Sequence, residues 1–479
     1  MLRQFRHTCL SVLAAALAGS LFLGSPITGL ADSDTEQRLE EQRAMPVQSN
    51  EIPNWPNGPV VGAESAILMD AETGTILYAK NIHQRQYPAS TTKILTTLIA
   101  TERCEMDEIV SFSHDAVFDT PWDSSHIAMD AGQELTMEQC LNAILIRSAN
   151  EVSFAVAEHI TQSTDWLVFA EIMNQRAEEL GCLDSHFVNP NGLPDQDHYT
   201  TAYDLAMIGR AFFANEMLCK ITLTRRMEFP ATEKLPLGKL ENNHMQIIPG
   251  GTYAYEYLTG CKTGYTDDAR SCLVSCAEKN GMRLICVVMH DEAPYQYEDT
   301  ISLYEYGFSN FEKVNVSQSE TKYNIDNTGL FYSGNDIFGS SQPFLSLDRD
   351  DFILLPKTVS FRDLDSVISY DTEDENQAAI IRYSYNGVDI GSVRVNFSAG
   401  AQQSDLFENL PETEIPDNSV LYVNMTVILI TLGVIAGLIL IWLLIRAVLK
   451  NYAFLGRRER QKKRRKRRRR SSDTFTFRD

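Results

Sequence analysis

Three short groups of polar residues in the first half of the chain could together perform nucleophilic catalysis. Ser90 and Lys93 are three positions apart, which places them one turn apart on the same face of a helix. Ser148 and Asn150 follow in a second helical region, and Lys262 comes later in a strand-like segment. These residue types supply a hydroxyl nucleophile, a base, a proton relay and a site for an anion. We therefore predict serine-based acyl transfer.

The proposed base requires an unusual environment. A lysine accepts a serine proton only if its pKa lies well below ~10.4, and burial or a neighbouring cation lowers that pKa. We expect Lys262 to be the cation that acts on Lys93, and also to attract an anionic group of the substrate. A serine at a helix N-terminus has backbone N–H groups nearby, which favour an oxyanion at the attacked carbonyl.

The order of the three groups separates them from chance copies. A second Ser-x-x-Lys string begins at Ser319, and further Ser-x-Asn strings begin at Ser333 and Ser384. The Lys-Thr-Gly string at Lys262 occurs once, directly before a strand-rich hairpin. One string alone is weak evidence, whereas the ordered set on helix, helix and strand indicates a site.

Periodicity predicts the elements that position these groups. Strand patterns open the region, helical periodicity dominates 90–213, and strands return between 260 and 288 before a last helix around 300–306. We expect an α+β catalytic domain over 59–313, with helices on an antiparallel sheet. Alternating strands over 314–400, with a hairpin at Asn386-Gly387, predict a small all-β domain.

The N-terminus is typical of an exported protein. Arg3 and Arg6 precede an apolar run that ends before a small-residue cleavage site. We predict a signal peptide over 1–31, with an uncleaved anchor as the alternative, and a polar linker over 32–58.

The C-terminus predicts a membrane anchor. The 19-residue segment 427–445 has Thr431 as its one polar side chain, and 457–470 holds twelve Lys or Arg in fourteen positions. We predict a linker over 401–421, a transmembrane helix over 422–446 and a basic cytoplasmic tail over 447–479. The protein would then be a single-pass protein of the cell membrane, with its catalytic domain outside and its C-terminus in the cytoplasm.

Charge and cysteine content limit the partners. The net charge is −22 although the tail is strongly basic, so the exported part is acidic and nucleic-acid binding is not expected. The tail would contact anionic membrane lipid, or serve only as a stop-transfer flank.

Eight cysteines lie between Cys104 and Cys286. Cys104 with Cys140, or Cys261 with Cys272, could form disulfides, and free thiols are an equal alternative. No Cys-x-x-Cys motif or Cys/His cluster has metal-ligand spacing, so we predict no metal site.

Longer strings around the three groups carry a family resemblance. Residues 60–312 resemble the serine-type D-alanyl-D-alanine carboxypeptidases, the low-molecular-mass penicillin-binding proteins of peptidase family S11. The supporting strings lie at 87–93, 186–193, 198–205 and 262–266. The resemblance implies a penicillin-binding/β-lactamase-like fold, peptidoglycan stem peptides as substrate, β-lactams as covalent inhibitors, and no cofactor.

The resemblance also implies roles in acylation. Ser90 would attack the D-alanyl-D-alanine peptide carbonyl, and Lys93 would take the serine proton. Ser148 would relay a proton to the leaving amine, and Asn150 would hold the substrate amide and orient Lys93.

Further roles concern recognition of the substrate. Lys262 and Thr263, followed by Gly264, would face the terminal carboxylate. The backbone N–H groups of Ser90 and Tyr265 would form the oxyanion hole. One departure concerns carboxylate affinity, because Tyr297 stands where some family members carry an arginine.

Other functions use the same residues. The nearest alternative is D,D-endopeptidase or transpeptidase activity on the same acyl-enzyme. A β-lactamase is less favoured, because Glu151 is not in a recognisable deacylation motif. A receptor that binds β-lactams or the wall without turnover is the alternative from another class.

Overall fold

A five-stranded antiparallel sheet forms the centre of the fold, with strand order β2-β1-β9-β8-β7. The computed structural model describes residues 33–322 except 230, 232 and 234, and residues 345–397 except 373 and 375. The strands of this sheet are β1 (Ser65–Asp70), β2 (Ile76–Lys80), β7 (Leu258–Thr266), β8 (Arg270–Lys279) and β9 (Met282–Asp291). Strand β7, which contains Lys262, pairs only with β8 and forms one edge of the sheet.

Helices cover one face of the sheet and form a second layer beside it. They are α2 (Lys93–Arg103), α3 (His114–Phe118), α4 (Met137–Arg147), α5 (Asn150–Thr161), α6 (Trp166–Glu179), α7 (Ala202–Phe213) and α8 (Glu216–Leu223). Helix α7 packs directly on the sheet at Gly209, where a β-carbon would make ordinary contacts of 3.4 Å with Val274 and 3.5 Å with Ile285. Short strand pairs flank these helices: β3 (Ile109–Ser111) with β4 (Glu134–Thr136), and β5 (Arg226–Phe229) with β6 (Lys239–Asn242).

The opposite face of the sheet packs against α9 (Tyr295–Asn310) and a set of later strands. These are β10 (Phe311–Asn315), β11 (Leu345–Leu347), β12 (Phe352–Pro356), β13 (Asp365–Ser369), β14 (Gln377–Tyr385) and β15 (Val388–Phe397), with a short α10 (Val316–Ser319) after β10. Strand β10 pairs with β12, and the other four form a sheet in the order β11-β15-β14-β13. Their buried side chains join one apolar cluster with the central sheet, for example Ile353 and Val393 with Leu77.

Several predicted elements are confirmed. The hairpin of β1 and β2 has the expected pairing, and so do β7, β8 and β9. Asn386 and Gly387 both have positive φ, 47° and 82°, as a tight hairpin between β14 and β15 requires. The α+β architecture with an antiparallel sheet is thus confirmed, while a separate all-β domain over 314–400 stays a prediction.

The predicted linker over 32–58 is corrected in part. It contains a helix, α1 (Ser33–Arg43), followed by a 3₁₀ turn at Gln48–Glu51. Trp55 is buried, and the buried Lys80 donates hydrogen bonds from Nζ to the carbonyl oxygens of Gln42, Val61 and Ala63. Of these three carbonyl groups the segment 32–58 contributes that of Gln42, which helps to satisfy an amine that has left water.

The predicted signal peptide, transmembrane helix and basic tail lie outside the described residues. Among the helices that are described, none is long and apolar enough to cross a membrane. The eight cysteines between 104 and 286 are all free thiols, so neither candidate disulfide forms. Cys261 lies opposite Ser275 and Cys272 lies opposite Gly264, out of register for a bridge between β7 and β8.

The packing of α7 against the sheet predicts that a cavity between them lowers the stability of the fold. Ile285 is fully buried in the central strand β9, so Ile285→Ala should lower the free energy of unfolding by about 2–5 kcal/mol. Urea unfolding measures this loss. Leu237→Ala is the control, because Leu237 is 97% exposed and its truncation should change stability by no more than about 0.5 kcal/mol. Equal effects of the two substitutions would contradict the assignment of Ile285 to the core.

Candidate active site

Ser90 lies in a tightly held turn at the start of the first long helix. The 3₁₀ segment Ala89–Thr92 runs directly into α2, whose first residue is Lys93. Ala89 has φ of +48°, a strained conformation for a residue with a side chain. Gly192 packs against this turn so closely that a β-carbon there would lie 1.8 Å from the Ala89 carbonyl oxygen.

Lys93 is the centre of the polar network. Its Nζ lies 2.8 Å from Ser90 Oγ, 2.7 Å from Asn150 Oδ1 and 2.6 Å from the carbonyl oxygen of Asn191. The side chain is fully buried. None of these three partners carries a negative charge.

This environment favours the neutral amine. Burial, and then the positive charge of Lys262, hold the pKa of Lys93 well below its ordinary value. A neutral amine has two N–H donors and one lone pair. Asn150 Oδ1 and the Asn191 carbonyl can only accept, so they take the two donors, and the lone pair is left for the Ser90 hydroxyl.

Ser148 and Asn150 lie at the junction of two helices. Helix α4 ends at Arg147, Ser148 adopts the left-handed conformation with φ of 59°, and α5 begins at Asn150. This turn brings the Asn150 amide to Lys93 and directs Ser148 Oγ to within 3.2 Å of Lys262 Nζ. Both side chains are 3% exposed, so their hydrogen bonds form away from bulk water.

Lys262 reaches the same site from the sheet edge. Its Nζ donates to Ser148 Oγ and to the carbonyl oxygen of Thr263 at 2.6 Å. Burial lowers the pKa of Lys262 to about 7. The amine can therefore bind an anion as a cation near neutral pH and can also exchange a proton through Ser148.

Gly264 allows strand β7 to pass beside the nucleophile. A β-carbon on Gly264 would lie 2.9 Å from both the backbone nitrogen of Ser90 and the carbonyl oxygen of Pro88. The next residue, Tyr265, is 56% exposed. The structure thus brings together Ser90, Lys93, Ser148, Asn150 and the 262–264 string, with Tyr265 at the rim.

Sequence reasoning gave no role to the loop that carries Asn191. His198 Nδ1 accepts the backbone N–H of Val188, so its Nε2 carries the proton that bonds Thr92 Oγ1 at 2.9 Å. Burial lowers the pKa of His198 to about 3, which keeps the ring neutral. The resemblance included the strings at 186–193 and 198–205, but the Asn191 contact uses a main-chain oxygen that no side-chain pattern reveals.

His244 is a second residue that the sequence did not indicate. Its Nδ1 lies 3.1 Å from the carbonyl oxygen of Ile146 and its Nε2 lies 3.3 Å from Thr263 Oγ1. Desolvation, followed by the charges of Lys262 and Arg147, lowers the pKa of His244 to about 4. The neutral ring therefore orients the Thr263 hydroxyl.

Two other residues considered from sequence lie outside this network. Tyr297 is buried, stacks on Tyr253 and belongs to the apolar cluster that contains Cys261. Cys261 and Lys262 are consecutive in strand β7, so their side chains lie on opposite faces of the sheet. Glu151 accepts the backbone N–H of Ile127 at 2.8 Å and lines a cavity of about 360 Å³ beneath the loop 117–130. Its carboxylate holds that loop.

The geometry suits covalent catalysis by a serine. A hydroxyl faces the lone pair of a buried amine, a second hydroxyl contacts a second buried lysine, and an edge strand passes close to the nucleophile's backbone. These are the parts required for attack, proton relay and anion binding.

Comparisons with known proteins identify one family. The model of a family described as D-alanyl-D-alanine carboxypeptidase, Peptidase S11, matches residues 53–293, about half of the chain. DacF of Bacillus subtilis is 33% identical over 257 residues, covering 52% of this chain and 63% of its own length. DacD of Escherichia coli is 30% identical, covering 64% and 76%. The solved penicillin binding protein 5 of Haemophilus influenzae matches with a TM-score of 0.56 and 25% identity, covering 71% of this chain and 98% of that one.

The close approach of Gly264 to Ser90 predicts that a larger residue at position 264 makes Ser90 less reactive. Gly264→Ala should displace β7 from Ser90 and lower the rate of Ser90 acylation by a fluorescent β-lactam on the order of 10²-fold. Gly209→Ala is the matched control, because its β-carbon would meet neighbours only at ordinary contact distances. Comparable acylation rates in the two variants would refute the steric role of Gly264.

The buried lysine predicts a dependence of stability on pH. The folded pKa of Lys262 is about 7 against an ordinary 10.5, so between these values the unfolded chain binds more protons and stability rises with pH. Lys262→Met should reduce this slope and raise the free energy of unfolding at pH 7 by about 1–4 kcal/mol. Urea unfolding at pH 7 and pH 10 tests this, with the exposed Lys220→Met as control. A destabilised Lys262→Met protein at pH 7 would contradict it.

Proposed function

The chain belongs to the peptidase S11 family of D-alanyl-D-alanine carboxypeptidases, and we propose that it removes the terminal D-alanine from peptidoglycan pentapeptide stems. The reaction is a serine hydrolysis through an acyl-enzyme on Ser90. One observation carries the proposal: the buried Lys93 amine lies 2.8 Å from Ser90 Oγ. Its two N–H groups are accepted by Asn150 Oδ1 and the Asn191 carbonyl oxygen, so its lone pair is available to Ser90.

Acylation begins with proton transfer from Ser90 to Lys93. As Oγ bonds to the carbonyl carbon of the D-alanyl-D-alanine peptide bond, its proton moves to the lone pair of Lys93 Nζ. The carbonyl oxygen becomes an oxyanion, which we assign to the backbone N–H groups of Ser90 and Tyr265. The approach of Gly264 to Ser90 supports this assignment, since it brings the two backbone segments together.

Collapse of the intermediate requires a proton on the leaving amine. Ser148 Oγ contacts Lys262 Nζ at 3.2 Å, and Asn150, two residues further on, bonds Lys93. We assign Ser148 as the relay through which the proton taken up by Lys93 reaches the nitrogen of the departing D-alanine while the C–N bond breaks, so that Lys93 is neutral again. Water then attacks the Ser90 ester and gives its proton to Lys93, which returns that proton to Ser90 Oγ as the ester bond breaks and the shortened stem is released.

Recognition of the terminal carboxylate falls to Lys262 and Thr263. Lys262 supplies the positive charge. The Thr263 hydroxyl donates to Nε2 of the neutral His244 ring in the free site, and we assign it to turn this proton toward the carboxylate when substrate binds. Asn150 both accepts from Lys93 and holds the substrate amide. Position 297 holds a tyrosine that packs in the apolar cluster across the sheet, so this position supplies no arginine to the carboxylate.

β-Lactams would acylate the same serine. The H. influenzae neighbour is named as a penicillin binding protein, and the buried network around Ser90 provides the same attack on a lactam carbonyl. A β-lactam adduct on Ser90 therefore serves as a probe of the site.

The cellular setting is proposed from the sequence. A signal peptide over 1–31, a β-rich domain over 314–400, a membrane helix over 422–446 and a basic tail over 447–479 would place the catalytic domain outside the cell. The helix and tail would then contact membrane lipid, and Ser90 would face the compartment that contains peptidoglycan.

The proposed activity is tested by release of D-alanine from a synthetic pentapeptide. Ser90→Ala and Lys93→Ala should each lower this release on the order of 10⁴-fold or more, because the nucleophile and its base act as a unit. Ser148→Ala should reduce acylation by about 10²–10⁴-fold.

The chain offers a matched control for the nucleophile. Ser319 begins the other Ser-x-x-Lys string, and its Oγ bonds only the carbonyl oxygen of Asn315 among the hydrogen bonds described, so Ser319→Ala should keep full activity. If the wild type forms a penicillin adduct on Ser90 but releases no D-alanine, the receptor function replaces the carboxypeptidase.

A further inference from the structure

A second cluster of reactive side chains lies apart from the serine site. Cys104, Glu108 and His159 each offer one ligand atom, and these atoms all lie within 4.8 Å of one another. Cys104 directly follows α2, Glu108 lies in the turn before β3, and His159 is in the last turn of α5. The three residues therefore come from three different segments that the fold brings to one point.

We propose that this cluster binds one divalent transition-metal ion, with Zn²⁺ as the best match. A thiolate, an imidazole and a carboxylate are the three ligand types that Zn²⁺ accepts, and three protein ligands leave a fourth position for water. Hard cations such as Mg²⁺ and Ca²⁺ prefer oxygen ligands only, so the thiol and the imidazole disfavour them. Binding releases the thiol proton to solvent, and the proton between His159 Nε2 and Glu108 leaves that nitrogen for Nδ1 or for solvent.

The distances require only a small rearrangement. His159 Nε2 lies 2.7 Å from Glu108 Oε2, a direct hydrogen bond. Tetrahedral zinc with ligands at the usual lengths needs about 3.3 Å between nitrogen and oxygen, and about 3.6 Å between nitrogen and sulfur. Side-chain movements of about 1 Å therefore convert the hydrogen-bonded cluster into a metal site.

The surroundings help to hold a cation. Glu108 is already oriented, because its Oε1 accepts the backbone N–H of Glu105 at 2.6 Å while Oε2 faces His159. The residues next to the three ligands in sequence add negative charge, with Arg103 as the one cation among them and Glu102 ion-paired to Arg176; the acidic ones are Glu102, Glu105, Asp107 and Glu158. A surface depression of about 420 Å³ beside His159 gives water access to the fourth position.

Cys104 differs from the other described cysteines in its exposure. Seven of the eight thiols in the described part of the chain are buried, and Cys104 alone is partly exposed. A metal ion can therefore reach this sulfur without unfolding the core, and a thiol reagent can report whether the sulfur is free.

The position of the cluster relates it to the catalytic helices. Helix α2 begins at Lys93 and α5 begins at Asn150, and the cluster joins the opposite ends of these helices. Eleven residues of helix span about 16 Å, so the metal would be remote from Ser90. Its expected effect is to stabilise the packing of the two helices.

Metal binding to the full-length chain tests the proposal directly. After removal of metal with a chelator and dialysis against micromolar Zn²⁺, the wild type should retain one zinc per chain by mass spectrometry. Co²⁺ should give the absorption band of a cobalt–thiolate bond. At about 100-fold excess over Kd, Zn²⁺ should raise the Tm by roughly 3–6 °C.

Variants locate the site. Cys104→Ser and His159→Gln should each weaken zinc binding by at least about 10–100-fold, and at the same zinc concentration should reduce the Tm shift to about half of the wild-type shift or less. Cys182→Ser and His114→Gln are matched controls elsewhere in the fold, and should bind zinc as the wild type does. Cooperative thermal unfolding in the absence of zinc verifies that each variant is folded.

A measurement without substitutions completes the test. Maleimide should modify Cys104 in the metal-free chain, and Zn²⁺ should protect it. Failure of the wild type to retain zinc, zinc binding unchanged in both ligand variants, or maleimide labelling unaffected by Zn²⁺ would each overturn the proposal.

Discussion

The structure depends on burying two lysine amines in one site without an acidic partner in contact with either. Lys93 is held by an amide oxygen, a main-chain carbonyl and a serine hydroxyl, and Lys262 by a hydroxyl and a carbonyl. A carboxylate in contact would keep Lys93 protonated and remove its basicity. The turn before α2, the first residue of α5 and the loop containing Asn191 each contribute one polar atom to Lys93 in place of that carboxylate. Burying the two amines lowers the free energy of unfolding, and the same burial lowers the pKa of Lys93 so that it can act as a base near neutral pH.

Sequence predicted the side chains of this site better than its backbone. Ser90 and Lys93 were recognisable because helical spacing places them on one face, and Lys262 because it begins a distinct string on a strand. The Asn191 contact was not predictable, because any residue at that position offers the same carbonyl oxygen. The positive φ of Ala89 was equally hidden, since alanine does not favour this conformation and the turn packs against Gly192, which is distant in sequence.

Topology explains the other differences between prediction and structure. A search for metal ligands by spacing passes over Cys104 and His159, because only the packing of α2 against α5 brings them together. The segment 32–58 has the polar composition of a linker, yet it folds onto the sheet, where the Gln42 carbonyl accepts a hydrogen bond from the buried Lys80 and the Trp55 side chain is buried. In both cases the deciding partner is distant in sequence, so local patterns carry no trace of it.

Strand β7 ends the central sheet with one side of its backbone unpaired by any other strand of that sheet. An extended peptide laid along such an edge is recognised by its main-chain amides, whatever its side chains are. Discrimination between one peptide and another must then come from the handedness of their α-carbons. This handedness decides whether small side chains turn toward the protein or toward solvent. An open edge of this kind makes a catalyst tolerant of varied stems and strict about stereochemistry.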